Sequence, residues 1–308
     1  MKYLKYMKRL IIFSICMVAM VQSKAQQTPL YSQYMHNPFI LNPAVAGTYN
    51  YFQIRLNSHL QWIGFPDAPV TTSLSVFGPV SAKNKDMGYG ASVYQDMTSP
   101  TSRLGLRGAY AYNVALSEYI RASFSAALGF YQFKYDGTNI SMRETDNVVK
   151  NGVVSEFKPD GMLGVLVYSG LFQVGLSVDN LFNSKFNVNP DQENVTSLGK
   201  LTRHYYFMGS YNWRHNRRWN TEYSTIVKAV EGFSVPVQMD FNVTAWYQKT
   251  AWFGASYRTL DAVSLLAGYI FNKRIYAGYS FDINLSPIRY YSFGSHEVMI
   301  GYRFNTLK

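Results

Sequence analysis

The chain has 308 residues, of which 47% are apolar, 15% are charged and 51 are Phe, Trp or Tyr. So aromatic and weakly charged a chain has enough apolar surface to offset its ordering entropy, which excludes a disordered protein. After residue 25 the sequence contains no run of about 20 apolar residues, which excludes a bundle of transmembrane helices. The formal net charge of +11 requires a correction for the N-terminal segment.

Residues 1–25 have the composition of a secretory signal peptide. Four basic residues lie within the first nine positions, residues 10–21 are apolar, and small residues at 23 and 25 suit a signal peptidase. We expect cleavage after Ala25; the alternative, a membrane anchor, is too short to span a bilayer. Cleavage would remove five positive charges, leaving +6, and also Cys16, the only cysteine. The mature fold is therefore expected to close without a disulfide.

From residue 51 onward, apolar and polar residues alternate with the period of a β-strand. In residues 51–62, for example, the even positions are apolar, apart from Ser58, and the odd positions from Gln53 onward are polar. The same pattern predicts fourteen strands, at residues 51–62, 70–77, 87–95, 103–112, 120–131, 162–168, 172–181, 204–213, 219–228, 237–247, 251–258, 262–271, 275–283 and 296–304. Many reach the roughly 9 to 11 residues that cross a bilayer as a tilted strand.

Apolar and polar residues alternate in this way in the strands of both soluble β-sandwiches and outer-membrane barrels. Glycines such as Gly88 and Gly278 lie on the polar face, and apolar phases end in aromatics such as Trp213, as an interfacial girdle requires. Short connections alternate with long ones, the long set being residues 136–160, 180–203 and 284–295. These features favour an all-β fold, a transmembrane antiparallel up-and-down β-barrel over residues 51–308. Both termini would be periplasmic and the long loops extracellular.

Residues 26–50 interrupt this pattern with prolines such as Pro38 and Pro43 among aromatic residues. Such a segment cannot continue a strand ladder, so we predict an irregular N-terminal periplasmic arm. The sequence leaves open whether it is a tethered tail, a partial plug of the barrel mouth, or an arm that binds a partner through Tyr31 and Tyr34.

The sequence offers little chemistry. Its five histidines form no metal motif, and neither a nucleophile elbow nor a phosphate loop occurs, so we expect no enzyme, metal or cofactor. Scattered Lys and Arg give no nucleic-acid footprint. Inward-facing charges, including Arg55, Arg258 and Arg303 against Asp240 and Asp282, would form either an ion-paired ladder in the lumen or a selectivity filter.

Several stretches together resemble the PorP/SprF family of the type IX secretion system of Bacteroidetes. They are residues 26–47, 61–65, 68–71, 254–258, 261–262, 268–269, 278–282 and 294–297. The resemblance spans nearly the whole mature chain. It implies an accessory or anchoring component of the outer membrane that supports export or surface attachment of proteins carrying a C-terminal sorting domain, such as adhesins of gliding motility. The implied partners are such a secreted protein, the periplasmic ring with its lipoproteins, and outer-membrane lipid.

The residues we expect to contact partners fall in the arm, the first outer loop and the C-terminal strands. Trp62, Phe65 and Pro66 are candidates because an aromatic and proline cluster in a loop is a rigid anchor. The remaining candidates are Tyr31, Tyr34, Tyr257, Arg258, Asp261, His296 and Glu297, although Arg258 with Asp261 could simply brace a tight turn. The alternative function is a barrel transporter or porin for a small or hydrophobic solute. That function requires an open or gated lumen, whereas a filled lumen would argue against it.

Overall fold

The computed structural model describes residues 29, 31–80, 86–138, 152–186, 199–233 and 235–304. The predicted signal peptide lies outside these residues. Fourteen long strands and one short pair follow in chain order: β1 (Phe52–Leu60), β2 (Val70–Pro79), β3 (Met87–Thr98), β4 (Thr101–Ala115), β5 (Arg121–Asp136), β6 (Val153–Tyr168), β7 (Phe172–Asp179), β8 (Lys185–Phe186), β9 (Gly199–Lys200), β10 (His204–Arg214), β11 (Trp219–Val230), β12 (Gln238–Tyr247), β13 (Ala251–Arg258), β14 (Ala262–Phe271), β15 (Ile275–Asn284) and β16 (Ser295–Phe304). Among the described residues, no helix combines the length and apolarity needed to cross a membrane.

The long strands form a closed barrel in which each pairs antiparallel with its neighbours along the chain. Closure comes from β1 and β16, which pair from Phe52 opposite Phe304 to Leu60 opposite His296. A closed sheet leaves no edge whose backbone groups lipid would have to satisfy. The predicted antiparallel up-and-down barrel of fourteen strands is therefore confirmed.

The strands present an apolar face outward and a polar face inward. On β14, Leu265 is 52% exposed while its neighbours Ser264 and Leu266 are buried, and on β16 Ile300 is exposed beside the buried Met299. The inward polar side chains are buried rather than wet because other parts of the chain fill the lumen. The outward apolar band is the surface that an outer-membrane barrel turns to lipid.

The two ends of the barrel differ in their connections. The turn end carries the short turns at residues 116–120, 169–171, 215–218, 248–250 and 272–274. The loop end carries the connections at residues 61–69, 99–100, 137–152, 180–203, 231–237, 259–261 and 285–294. The sequence predicts one short connection at the loop end, residues 259–261, but there are two, because β3 and β4 extend to meet at Ser99 and Pro100.

β6 is the strand that departs most from the prediction. It begins at Val153, well before the predicted start at residue 162, and pairs with β5 along its whole length. Pro159 and the charged pair Glu156 and Lys158, whose carboxylate and ammonium lie 3.2 Å apart, interrupt the apolar pattern there. The small sheet of β8 and β9 was not predicted either, since two residues per strand are too few to show a period.

Residues 31–47, called the arm below, run inside the barrel. Three 3₁₀ turns shape the arm, at Tyr34–His36, Pro38–Ile40 and Pro43–Val45. Two of them begin with a proline, whose fixed φ suits a turn and whose missing N–H is not needed there. The sequence leaves open a tethered tail, a partial plug and a partner-binding arm. In the structure, the described part of the arm fills the lumen.

Candidate functional site

The start of the arm is held by the carboxylate of Glu297, on β16. Its Oε2 accepts hydrogen bonds from the backbone N–H groups of Ser32 and Gln33, at 2.5 and 3.4 Å. Its Oε1 accepts one from Nδ2 of Asn57 at 2.9 Å, and the Glu297 carbonyl accepts one from Nε2 of Gln33 at 3.1 Å. Glu297 is fully buried. Hydrogen bonds to a buried charge are stronger than neutral ones, so this carboxylate fixes the arm to the wall.

Arg258, on β13, joins the same part of the arm to an acidic cluster near the loop end. Its Nε lies 3.2 Å from Oδ2 of Asp240, and its Nη1 lies 3.2 Å from Asp261 and 3.7 Å from Asp282. Its Nη2 donates to Oγ of Ser32 at 3.3 Å, and that hydroxyl donates to Oδ2 of Asp282 at 2.5 Å. Arg258 and Asp261 do brace the turn, but the buried guanidinium also binds the arm.

The middle of the arm is hydrogen-bonded to β6 and β7. Nδ2 of Asn42 donates to the carbonyls of Val165 and Leu176, at 3.1 and 3.3 Å. Its Oδ1 accepts from the N–H of Ala44 at 3.0 Å, which caps the third 3₁₀ turn. The side chain of Asn42 thus joins the arm to the carbonyls of two paired strands of the wall.

Inward-facing glycines form the surface on which the arm lies. A Cβ at Gly88 would be 2.4 Å from the carbonyl carbon of Ala46, and one at Gly278 would be 2.4 Å from Oε1 of Gln33. The sequence indicates small residues on the polar face, and at Gly88 and Gly278 the structure gives the reason, which is the close approach of the arm.

The first 3₁₀ turn places His36 against two tryptophans of the wall. Its ring centroid lies 4.8 Å from that of Trp252 and 5.7 Å from that of Trp246. Burial lowers the pKa of His36 to about 3, and the nearby charges of Arg55 and Arg303 act in the same direction. His36 is therefore neutral at physiological pH and packs as an aromatic ring.

At the loop end, the connections β1–β2 and β15–β16 are fastened together. The N–H of Ile63 donates to the carbonyl of Gly294 at 2.9 Å, and the N–H of Phe293 donates to the carbonyl of Ile63 at 2.7 Å. The N–H of Trp62 donates to Oγ of Ser295 at 3.0 Å. These bonds hold both loops as one unit.

This unit carries a group of exposed aromatic side chains, called here the loop-end aromatic surface: Phe65, Tyr290, Tyr291 and Phe293. The last three are 72 to 80% exposed. Sequence reasoning found Phe65 with Trp62 and missed the others. The signal was present as three aromatics within four residues of the predicted outer loop 284–295. Exposed clustered aromatics mark interaction sites more than single ones do.

The other predicted contact residues separate into three places. Trp62, Pro66 and Asp261 lie at the loop end. Tyr257 and His296 are on the outward face, and Nδ1 of His296 lies 2.5 Å from the hydroxyl of Tyr279. Tyr31 and Tyr34 are buried in the lumen with Arg258 and Glu297, and burial raises the pKa of both phenols. While the arm occupies the lumen, these four contact the chain itself. Within the described residues, no group of three or more His, Cys, Asp or Glu side chains could hold a metal ion.

The comparisons with known proteins agree on a membrane barrel. The family model described as "Type IX secretion system membrane protein PorP/SprF" matches residues 23–302. A Pseudomonas aeruginosa FadL homologue has a similar structure, with 10% identity, 86% of this chain and 93% of that chain covered, and a TM-score of 0.50. The CymD monoaromatic hydrocarbon channel is similar at 13% identity, with 91% and 95% covered and a TM-score of 0.51. Among curated proteins no relative matches the chain. At these identities the two structures support the fold alone.

Proposed function

Because the chain belongs to the PorP/SprF family of type IX secretion system membrane proteins, we propose that it is an accessory or anchoring component of that system. In this role, which is not enzymatic, the barrel supports export or surface attachment of proteins that carry a C-terminal sorting domain, including adhesins of gliding motility. The loop-end aromatic surface is the observation that carries the proposal. Rigid, exposed aromatic side chains supply the large contact area on which protein interfaces depend.

The orientation of the barrel is part of the proposal. Outer-membrane barrels carry short turns on the periplasmic side and longer loops outside, so the loop end would face the exterior. The turn end would then face the periplasmic ring and its lipoproteins, and the C-terminus would be periplasmic. The expected periplasmic N-terminus has no such support, because the described arm begins near the loop end. β16 ends at the turn end, in keeping with this orientation, whereas the described arm begins inside the lumen.

An affinity pulldown from native outer membranes tests the proposed partner. We expect the tagged protein to retain a large secreted protein through its C-terminal domain, identified by mass spectrometry. Substituting Tyr290 and Phe293 by Ser should reduce the recovery at least tenfold. Tyr119→Ser, at an equally exposed turn-end position, should not. Equal recovery by both variants, or recovery of the barrel alone from wild type, would contradict the proposal.

A second candidate is transport of a small or hydrophobic solute, since one similar structure is a monoaromatic hydrocarbon channel and another is a FadL homologue. The buried, hydrogen-bonded arm argues against it, because it fills the path that a solute would take. Conductance in planar bilayers separates the two functions. We expect no steady conductance from the full chain, and a stable open channel would favour transport.

A further inference from the structure

A cavity of about 450 Å³ lies at the turn end, between the arm and the wall of the barrel. The arm bounds it through His36, the loop after the arm adds Tyr49, and the turns at residues 169–171 and 248–250 form its rim. The wall contributes Arg55 and Arg303, from β1 and β16. None of these side chains belongs to the loop-end aromatic surface, so a ligand bound in this cavity would be independent of the function proposed for that surface.

Arg55 and Arg303 lie on the same ring, that of Tyr276. Their guanidinium carbons are 3.9 and 4.1 Å from its centroid, and Arg303 also lies 4.7 Å from the centroid of Tyr51. Arg55 and Tyr276 are buried. Gly301 makes room for this arrangement, because a Cβ there would be 2.1 Å from Nη1 of Arg55. The stacking fixes both guanidinium planes beside the cavity.

These arginines lack the partners that other lumen arginines have. Arg107 binds Asp160 and lies 2.6 Å from Asp179, and Arg258 has three carboxylates within 4 Å. By contrast, Nε and Nη1 of Arg55 and Nε of Arg303 are buried without a hydrogen-bond acceptor among the described residues. Neither arginine has a described carboxylate within 4 Å.

Most of the unpartnered polar atoms beside the cavity are donors, and Nε2 of His36 donates or accepts according to its tautomer. Besides the guanidinium nitrogens, Nε2 of Gln53 is buried without an acceptor among the described residues. The carboxylate that lines the cavity, Glu222, accepts from Nε1 of Trp246 at 3.1 Å. Buried donors and charges without partners are costly, and a guanidinium fork matches the two oxygens of a carboxylate or phosphate. An oxyanion entering from the turn end would balance the positive charge of both guanidinium groups.

We propose that the turn-end cavity is a binding site for a peptide carboxylate, held by Arg55 and Arg303 with Gln53 as a further donor. A peptide is favoured over a phosphate because the lining supplies amide side chains, from Gln173, Asn212 and Asn220, that pair with a peptide backbone. Aromatic walls at Tyr51 and Trp246 would pack against its side chains. The site faces the opposite end from the loop-end aromatic surface, so the two surfaces can bind different partners.

Tryptophan fluorescence of the full chain in detergent micelles tests this site, because Trp246 lines the cavity. The probes are acetyl-trialanine with a free C-terminal carboxylate, the same peptide amidated, and inorganic phosphate. We expect saturable binding of the free acid and at least about tenfold weaker binding of the amide. Arg303→Gln should lower the affinity for the free acid by about tenfold or more. Arg217→Gln removes the same charge from an exposed turn-end residue and should leave that affinity unchanged.

Folding of each variant is checked by heat-modifiable electrophoretic mobility, and Gly301→Ala provides a second perturbation that removes no charge. The alanine should displace Arg55 and lower the affinity for the free acid as well. Absence of saturable binding, equal binding of acid and amide, or wild-type affinity in a folded Arg303→Gln protein would overturn the proposal. Binding of phosphate without binding of the peptide would also overturn it, in favour of a phosphate site.

Discussion

Glu297 illustrates how a single residue can be recognised in the sequence while its role is not. The alternation of β16 places it on the inward face, and the structure agrees. Its partners, Ser32 and Gln33, lie 265 and 264 residues away in the chain. No local pattern encodes such a contact, so the sequence marks Glu297 as a candidate for contact with a partner and does not reveal that it binds the arm.

Gly88 tests whether the arm is packed as tightly as the structure indicates. Gly88→Ala would place a Cβ 2.4 Å from the backbone of Ala46, which cannot move without shifting the arm. We expect a loss of about 1–3 kcal/mol in the free energy of unfolding, as for other overpacked sites. Urea unfolding in lipid vesicles measures it. The control is Gly108→Ala, which meets open space and should be neutral or slightly stabilising. Equal effects at the two sites would show that the arm does not lie on Gly88.

His36 makes part of the stability depend on pH. Its pKa is lowered to about 3, so between that pH and the ordinary value near 6.5 the unfolded chain binds a proton that the folded chain does not. Stability is therefore lost as pH falls from about 6.5 towards 3. His36→Phe keeps a ring between the tryptophans and removes this titration, so its unfolding free energy should fall less between pH 7 and pH 4 than that of wild type. His215→Phe, in an exposed turn, should keep the wild-type dependence, and a wild-type slope in His36→Phe would refute the burial of this histidine.

The strands were predictable because the two faces of a barrel impose a strict period of two. All fourteen were located, and the main errors fall where charged residues and Pro159 interrupt the period in β6. The prolines of the arm identified it as irregular. Its path was not predictable, since it depends on contacts such as those of Asn42 with Val165 and Leu176, which are set by the closed barrel.

The outward face of β14 tests the assignment of that face to lipid. Leu265→Arg should destabilise the barrel by about 2–4 kcal/mol if the residue lies near the bilayer midplane. Leu260→Arg makes the same substitution in the turn before β14, at a position that is 84% exposed at the loop end, and should cost little. Unfolding in vesicles compares the two. Similar costs would mean that Leu265 does not face the hydrocarbon core.

The barrel is a wall built around a segment of its own chain. The arm occupies the lumen from Ser32 near the loop end to Gly47 near the turn end, where it lies beside Gly88 and Asn113. The interior is thus occupied by the packed arm, and the surfaces left for other molecules are the two ends. This division suits a component that holds other proteins better than one that conducts a solute.

Photo-crosslinking in native outer membranes tests the partner-holding role most directly. A photoreactive amino acid is placed at Tyr290, at the loop end, or at Tyr119, at the turn end, two positions that are 72 and 75% exposed. We predict that the probe at position 290 becomes linked to a secreted protein through its C-terminal sorting domain and that the probe at position 119 does not. A secreted protein linked at position 119 alone, or at neither position while it is displayed on the surface, would contradict the proposed role of the loop end.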